Sequence, residues 1–316
     1  MGAGPPPRPP SPPAEPRRGG ARAPGGLVDT PRVTTPCPRT AVLGGGEVPW
    51  DSPVAPADDA GLRGDGCFET LLVHGGEPAR AVRLAEHLDR FARGAQELEV
   101  PFDRAGWEAL ARSLTDDVPA GAEAALRLSL SRSGLGIATL RPVPAAVLAG
   151  RGGVRVVTLP RGTVAVPGAR WLLAAVKTSS YAVNSAALRE AARRGADDAL
   201  FVDAGGLALE GPTANLLWRA DGEWHTPPVA GRGVLAGTTL AAVGPHRETA
   251  LRPSRLAGVD GAWLLSSLRG AAPVLAVDGV PVPRDPELTR WLQGIALDRP
   301  APGTSAAPRQ GGSGPG

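Results

Sequence analysis

Ala174-Ala-Val-Lys-Thr-Ser-Ser-Tyr-Ala182 holds the one lysine of the chain, Lys177, among 34 basic residues that are otherwise arginine. A lysine needed only for its charge exchanges for arginine at modest cost, and everywhere else in this sequence the basic residue is arginine. Arginine cannot give up its proton near neutral pH and attack a carbonyl, whereas a buried ammonium can be tuned downward until it does. Lys177 is therefore a candidate covalent catalyst acting through a Schiff base. The competing reading is a surface lysine left over in an arginine-rich composition. The apolar run Trp171-Leu-Leu-Ala-Ala-Val176 before it predicts a buried strand. Asn184 to Arg194 behind it, rich in alanine and stopped by Gly195, predicts a helix. Lys177 is thus expected at a strand end, from which it can face a cleft.

Working outward toward the N-terminus, Leu126, Leu128 and Leu130 alternate in a strand, and Trp107, Leu110 and Leu114 mark a helix. Leu84, Leu88, Phe91, Ala95 and Leu98 recur at helical spacing and predict a helix over 83–98, with Arg90 beside the apolar stripe. Gly66 to Val73 alternates into a strand closed by Gly75-Gly76, after a folded start at Thr40-Ala-Val-Leu43. Gly150-Arg-Gly-Gly153 reads as a linker. Beyond it, Val154 to Leu159 predicts a strand, and Asp198–Asp203 with Leu207–Gly211 predict two strands around a tight turn, Glu210 ending the second. Asn215–Trp218 and the segment at Trp224 continue the sheet. In Gly233 to Val243, Gly237, Thr238 and Thr239 precede a helix-like run whose first backbone N–H groups suit an anion such as phosphate. The pattern predicts an α+β chain of two domains, 40–148 and 152–295, with no internal repeat. The tails at 1–39 and 296–316 are rich in Pro, Gly and Arg, bury too little apolar surface to order, and are expected to be disordered.

The net charge is +3, and part of it sits on Arg8, Arg17, Arg18 and Arg22. No basic stripe with interleaved aromatics remains, which excludes nucleic-acid binding as the main function. No apolar run approaches the roughly 20 residues of a membrane span, and the proline-broken start lacks the core of a signal peptide, so a soluble cytoplasmic protein is expected. Cys37 and Cys67 offer no disulfide framework. His74, His87, His225 and His246 show no paired ligand spacing, so no metal site is expected, and each histidine reads as a surface or packing residue.

An amine nucleophile, a distant carboxylate and a phosphate cradle are the three needs of pyridoxal phosphate. Lys177, Glu210, and Arg90 with Gly237-Thr238-Thr239 are the candidates. Singly, each also reads as structural: a strand-end acid, a solvated helix residue, a common cap.

In order along the chain, Gly64-Asp-Gly-Cys-Phe-Glu-Thr70, His87-Leu-Asp-Arg-Phe91, Lys177-Thr-Ser-Ser-Tyr181, Arg189 to Asp198, Leu209-Glu-Gly-Pro-Thr-Ala-Asn215, Thr226-Pro-Pro and Val234-Leu-Ala-Gly-Thr-Thr239 resemble the motifs of the class IV aminotransferase family. The resemblance covers about 40–295. It implies a two-domain pyridoxal 5′-phosphate fold of type IV, similar to D-amino acid aminotransferase, with the cofactor in the interdomain cleft, a small-molecule substrate and a homodimer. It makes Lys177 the Schiff-base lysine. Arg90, with Thr238, Thr239 and Ser267, matches the phosphate anchor; Glu210 matches the acid that hydrogen-bonds the pyridine nitrogen; Tyr181 matches a residue beside the cofactor. The family includes branched-chain and D-amino acid aminotransferases and 4-amino-4-deoxychorismate lyases. Many of its transaminases carry a small residue at Pro212, an aliphatic one at Thr238 and a basic one at Leu240. Leu-Glu-Gly-Pro-Thr, Leu-Ala-Gly-Thr-Thr and Gly-Asp-Gly-Cys-Phe look more like the lyase branch, which makes 4-aminobenzoate and pyruvate for folate synthesis. Transamination of branched-chain or D-amino acids is the alternative. Arg127 and Arg269 are candidates for the substrate carboxylate.

Overall fold

Alternation places Leu126, Leu128 and Leu130 on one face of a strand. The structure, a computed structural model that describes residues 36–49, 58–162, 169–173 and 176–299, builds a first sheet around it. Its strands are β1 (Arg39–Val42), β2 (Gly46–Val48), β3 (Gly66–His74), β4 (Arg80–Ala81), β5 (Glu123–Ser131) and β6 (Gly136–Pro142), laid side by side as β2-β1-β6-β5-β3-β4. Every pairing is antiparallel. A single turn, α1 (Asp59–Leu62), precedes β3, and α2 (Leu84–Glu97) and α3 (Arg104–Thr115) follow β4. Leu88, Phe91 and Ala95 of α2 and Trp107, Leu110 and Leu114 of α3 meet Leu71, Leu126 and Leu128 in one core. Each fully buried Leu or Phe there contributes about 1.5–3 kcal/mol. Asp103 caps α3 by accepting from Gly106 N at 2.9 Å. α2 has no side-chain cap, so its buried stripe holds it to the sheet.

After α4 (Ala145–Ala149) and a 3₁₀ turn at Gly150–Gly152 come β7 (Val154–Pro160), α5 (Ala182–Arg193), β8 (Asp198–Val202), β9 (Asn215–Ala220), β10 (Glu223–Thr226), α6 (Thr238–Ala241), β11 (Arg247–Glu248), β12 (Gly261–Ser266), β13 (Gly270–Val277), β14 (Val280–Pro281) and α7 (Pro286–Ala296). The second sheet runs β11-β10-β9-β12-β13-β7-β8, with β14 on β13. β7 lies parallel to both β13 and β8. α5 connects β7 to β8, and its Ala187 and Ala191 pack with Leu159, Ala199 and Phe201. Asp285 caps α7, accepting from Glu287 N at 2.9 Å and Leu288 N at 2.8 Å, with Pro286 in the first helical turn.

Four expectations are corrected. Trp171–Val176 is not a strand: Arg170–Leu172 forms a 3₁₀ turn with Trp171 80% exposed. Leu173 and Val176 turn inward against the first core, while 174–175 lie outside the described residues. An apolar run alone does not separate a strand from a loop that packs some of its residues inward. Leu207–Gly211 makes only the isolated bridges Val202↔Ala208 and Glu210↔Asn215. The helix after Gly237 stops at Ala241, one turn long. Finally, the chain expected to be a tail from 296 begins with packed residues: Ala296 and Leu297 are fully buried. Their carbonyls accept from Arg83 Nη1 at 2.8 Å and His74 Nε2 at 2.6 Å. Residues 300–316 and 1–35 of the expected tails lie outside the described residues.

Candidate active site

Lys177 is positioned by the first sheet and not by a strand of its own. β3 pairs with β5 along its whole length but with β4 only at Val73 and His74, which leaves its first residues open on one side. The chain at 177–179 fills that edge: Phe68 N donates to Lys177 O at 3.0 Å and Ser179 N to Gly66 O at 2.8 Å. Thr178 bridges to Cys67. Gly64 allows the approach, since at φ +71° a Cβ there would stand 2.9 Å from Ser180 Oγ. Lys177 Nζ then lies 4.6 Å from the Phe68 ring centroid and 5.6 Å from that of Tyr181. Burial, with the positive charges of Arg90 and Arg127, outweighs the pull of Glu69 and Glu210 and brings the amine down to about 8. A substantial neutral fraction near neutral pH is what a nucleophilic amine requires.

Beside it stands a buried triad from β3 and α2. Arg90 donates to Glu69 twice, Nε to Oε1 and Nη2 to Oε2, both at 2.7 Å. His87 Nδ1 donates to Glu69 Oε2 at 2.7 Å. Burial alone would raise the Glu69 carboxyl, but the bonds from Arg90 and His87 win and hold it at about 2. Arg90 Nη1 also donates to Ala236 O at 3.0 Å, tying α2 to the segment before Gly237. His87 Nε2 faces Thr238 Oγ1 at 3.1 Å and Ser267 Oγ at 3.3 Å. Gly237 is required by packing: a Cβ there would meet Asn215 Oδ1 at 1.8 Å.

Glu210 stands on the same cavity, received by the second sheet. Its Oε2 accepts from Leu235 N at 3.1 Å and Asn215 Nδ2 at 3.3 Å, and its Oε1 lies 3.4 Å from Arg161 Nη1. Burial raises its pKa, against the lowering effect of Arg161, the Leu235 bond, Lys177 and Arg90. Tyr181 packs edge-on to Phe68 at 5.2 Å and donates its hydroxyl to Pro212 O at 2.8 Å. Burial pushes the phenol up to about 12, so it stays protonated.

One cavity of about 460 Å³ takes its lining from both sheets and brings together all the expected site residues: Arg90, Lys177, Tyr181, Glu210, Gly237, Thr238, Thr239 and Ser267. Arg127 and Arg269 line it too, in different states. Arg127 lies 3.7 Å over the Phe68 ring and donates to Ser129 Oγ at 3.1 Å, with no carboxylate partner among the described residues. Arg269 Nη2 is already 2.7 Å from the buried Asp198 Oδ2, a charge contact without hydrogen-bond alignment. Sequence reasoning missed Glu69, His87, Asn215 and Arg161. Glu69 and His87 stood inside quoted motifs, and the expectation that every histidine is a surface or packing residue fails at His87, which links Glu69 to the cavity hydroxyls of Thr238 and Ser267. The available signal was a histidine three residues before Arg90, on the same helical face. Among the described residues no cluster of His, Cys, Asp or Glu could hold a metal. Among them, too, no helix is long and apolar enough to cross a membrane.

Two sheets of this connectivity, with a lone tuned lysine between a basic and an acidic pole, define a pyridoxal 5′-phosphate enzyme of fold type IV. The sequence profile of amino-transferase class IV matches residues 66–277, and the chain belongs to that family. It is 39% identical over 262 residues to the bifunctional aminodeoxychorismate lyase / D-amino acid transaminase of Mycobacterium tuberculosis (strain ATCC 25618 / H37Rv), spanning 74% of this chain and 89% of that one. Among solved structures, the pyridoxal-phosphate-bound form of a hypothetical aminotransferase from Mycobacterium tuberculosis superposes with a TM-score of 0.75 at 36% identity, over 83% of this chain and 99% of that one. The fold IV transaminase CpuTA1 from Curtobacterium pusillum gives 0.76 at 35% identity, over 83% and 98%. The cofactor of this enzyme is pyridoxal 5′-phosphate, and the donor set fits it. Hydroxyls and a guanidinium gather at Thr238, Ser267 and Arg90, a buried carboxylate with a raised pKa stands at Glu210, and a lowered amine stands at Lys177 on the same cavity.

Proposed function

We propose that the chain is a 4-amino-4-deoxychorismate lyase, forming 4-aminobenzoate and pyruvate for folate synthesis in the cytoplasm. The observation that carries the reading is Arg127, a guanidinium on the cavity lining, 3.7 Å over the Phe68 ring, with no carboxylate partner among the described residues. A substrate carboxylate is the group that such a cation receives. The 39% identical relative, whose name includes the lyase, supports it. Its name includes the D-amino acid transaminase as well, which keeps that activity as the second reading.

In the proposed arrangement Arg90, Thr238, Thr239 and Ser267 hold the cofactor phosphate, Glu210 holds the proton of the pyridine nitrogen, and Tyr181 and Phe68 orient the ring. Bound there, pyridoxal 5′-phosphate supplies a conjugated sink for the electron pair that proton removal leaves behind. Lys177 would hold the cofactor through Nζ until the substrate's amino group takes its place, and the freed Nζ, as a neutral amine, is the base placed to take the proton from the substrate carbon that bears nitrogen. In the lyase, the bond from the neighbouring ring carbon to the ether oxygen then breaks, pyruvate leaves and the ring becomes aromatic. In a transaminase, Nζ returns the proton to a different carbon. The core residues therefore serve both, and the two readings differ in the substrate that is turned over.

A lyase needs no 2-oxo acid. Supplied with 4-amino-4-deoxychorismate alone, the enzyme is expected to release many equivalents of 4-aminobenzoate and pyruvate. Turnover that appears only with D-alanine or leucine plus 2-oxoglutarate would replace the first reading by the second. A homodimer is part of the proposal. Trp171 and Val183, 80% and 63% exposed beside the cavity wall, support a second copy there, and sedimentation at micromolar concentration tests it.

A further inference from the structure

The carboxylate of Glu69 can only accept hydrogen bonds, so the 2.7 Å contact to His87 places a proton on Nδ1. In a neutral imidazole that proton leaves Nε2 bare. Nε2 must then draw a proton from the hydroxyl of Thr238, at 3.1 Å, or of Ser267, at 3.3 Å. Both hydroxyls line the cavity at the Arg90 pole, where a phosphate would compete for the same protons. The charges tell the same story. Glu69 cancels Arg90, to which it is bonded twice, so a phosphate dianion meets a triad of no net charge.

We propose that His87 takes up one proton from solvent when a phosphate group binds beside Thr238 and Ser267, so that anchoring the cofactor is a proton-coupled step. With Nε2 protonated, the imidazolium donates to a hydroxyl oxygen, both hydroxyl protons turn to the phosphate, and the triad gains the positive charge it lacked. His87 is 2% exposed, so the proton arrives by exchange through the cavity-facing hydroxyls: one gives its proton to Nε2 and receives another from cavity water. The charged groups that face His87 are Glu69 from β3, Arg90 from its own helix and Lys177 from the chain after the 3₁₀ turn. Glu69 favours the proton; Arg90, Lys177 and burial oppose it, and in the free protein opposition wins. Two negative charges at hydrogen-bond range of Thr238 and Ser267 reverse that balance. The inference rests on the phosphate pole assigned above.

The test uses the full chain stripped of cofactor and labelled with ¹⁵N-histidine. The probe is pyridoxine 5′-phosphate, which carries the ring and phosphate but has no aldehyde for Lys177. At about pH 7.5 the phosphate is already dianionic, its second pKa being about 6. Removing His74, His225 and His246 in turn identifies the His87 signals without altering the site. The expected result is a neutral Nδ1–H imidazole in the free protein, both ring nitrogens protonated in the complex, and no change with phosphate-free pyridoxine. A His87 that stays neutral in a complex weakened by Arg90→Gln would overturn the proton coupling while leaving the phosphate pole in place. Binding indifferent to Arg90→Gln would overturn the pole and the coupling with it. His87→Gln supplies an independent readout. Its affinity for the probe, relative to wild type, is expected to fall about tenfold for each pH unit lowered within the titration window of the wild-type histidine.

Discussion

Phe68 holds Lys177 twice: its N–H donates to the lysine carbonyl at 3.0 Å, and its ring centroid lies 4.6 Å from Nζ. A residue of the first sheet thus fixes both the backbone and the amine of the residue that leads into the second. If the amine is the covalent anchor, borohydride reduction of the holoenzyme fixes the cofactor on the peptide containing Lys177, read by mass spectrometry. Lys177→Arg keeps the charge, loses the reducible link and lowers turnover by at least about 10²-fold. A reducible link surviving in that variant would remove Lys177 from its role.

The lowered amine gives this link a pH profile. Only the neutral form attacks an aldehyde, and burial with Arg90 and Arg127 brings Lys177 down to about 8 from the ordinary lysine value of 10.5. The rate at which stripped enzyme takes up pyridoxal 5′-phosphate is expected to rise about tenfold per pH unit and to level off above about 8. Stopped-flow absorbance measures it. A rise continuing past pH 10 would mean that the site does not tune the amine.

Gly237 tests the packing between the two poles. Its φ is −78°, so backbone freedom is not the reason for glycine. A Cβ would run into Asn215 Oδ1, and Asn215 holds both Glu210 and Leu235 O. Gly237→Ala is expected to cost about 1–3 kcal/mol of stability and to weaken cofactor binding, measured by denaturant unfolding and by titration. An unchanged affinity would separate Asn215 from the site.

The parts of this site legible in the sequence were those with a local signature. The α2 stripe from Leu84 to Leu98 fixed the helix within one residue at each end, and Lys177 stood out by composition. What was not legible depends on contacts far apart in the chain. Glu69 and His87 are eighteen residues apart, and Ser267 and His87 are 180 apart. No periodicity reports that they meet, or that Glu69, on an otherwise apolar strand, has a buried arginine to receive it. Trp171–Val176 misled for the opposite reason: Leu173 and Val176 line the cavity and pack on the first core while Trp171 is exposed, a division made by the fold and not by alternation.

Glu69 links the site to acid stability. Its carboxyl is held at about 2 in the folded protein against the ordinary glutamate value of 4.5. Because the folded pKa is depressed, the stabilisation is complete above about 4.5 and is lost as pH falls from there toward 2. Glu69→Gln leaves Arg90 buried and half-paired, and is expected to cost about 3–5 kcal/mol near neutral pH, with a shallower loss of stability in acid than wild type. Urea unfolding across that window measures both. Parallel acid profiles would show that other carboxylates dominate.

Arg127 and Arg269 line one cavity and are expected to fail in opposite ways when neutralised. Arg127 has a hydroxyl and an aromatic face for company, with no carboxylate among the described residues, so its charge is available to a substrate. A hydrogen bond to a charged group is worth about 1.5–3 kcal/mol. Arg127→Gln should therefore raise KM for 4-amino-4-deoxychorismate by about 10- to 100-fold, with a smaller change in kcat and little change in unfolding midpoint. Arg269 is held at 2.7 Å by Asp198, whose side chain is 1% exposed. Arg269→Gln strands that charge inside the protein and should cost about 3–5 kcal/mol of stability, while KM stays within a fewfold of wild type. The two variants give a crossed pattern in a KM measurement and a denaturation curve. If the KM penalty falls on Arg269 and the stability penalty on Arg127, the substrate carboxylate lies at the Asp198 side of the cavity and the proposed placement is reversed.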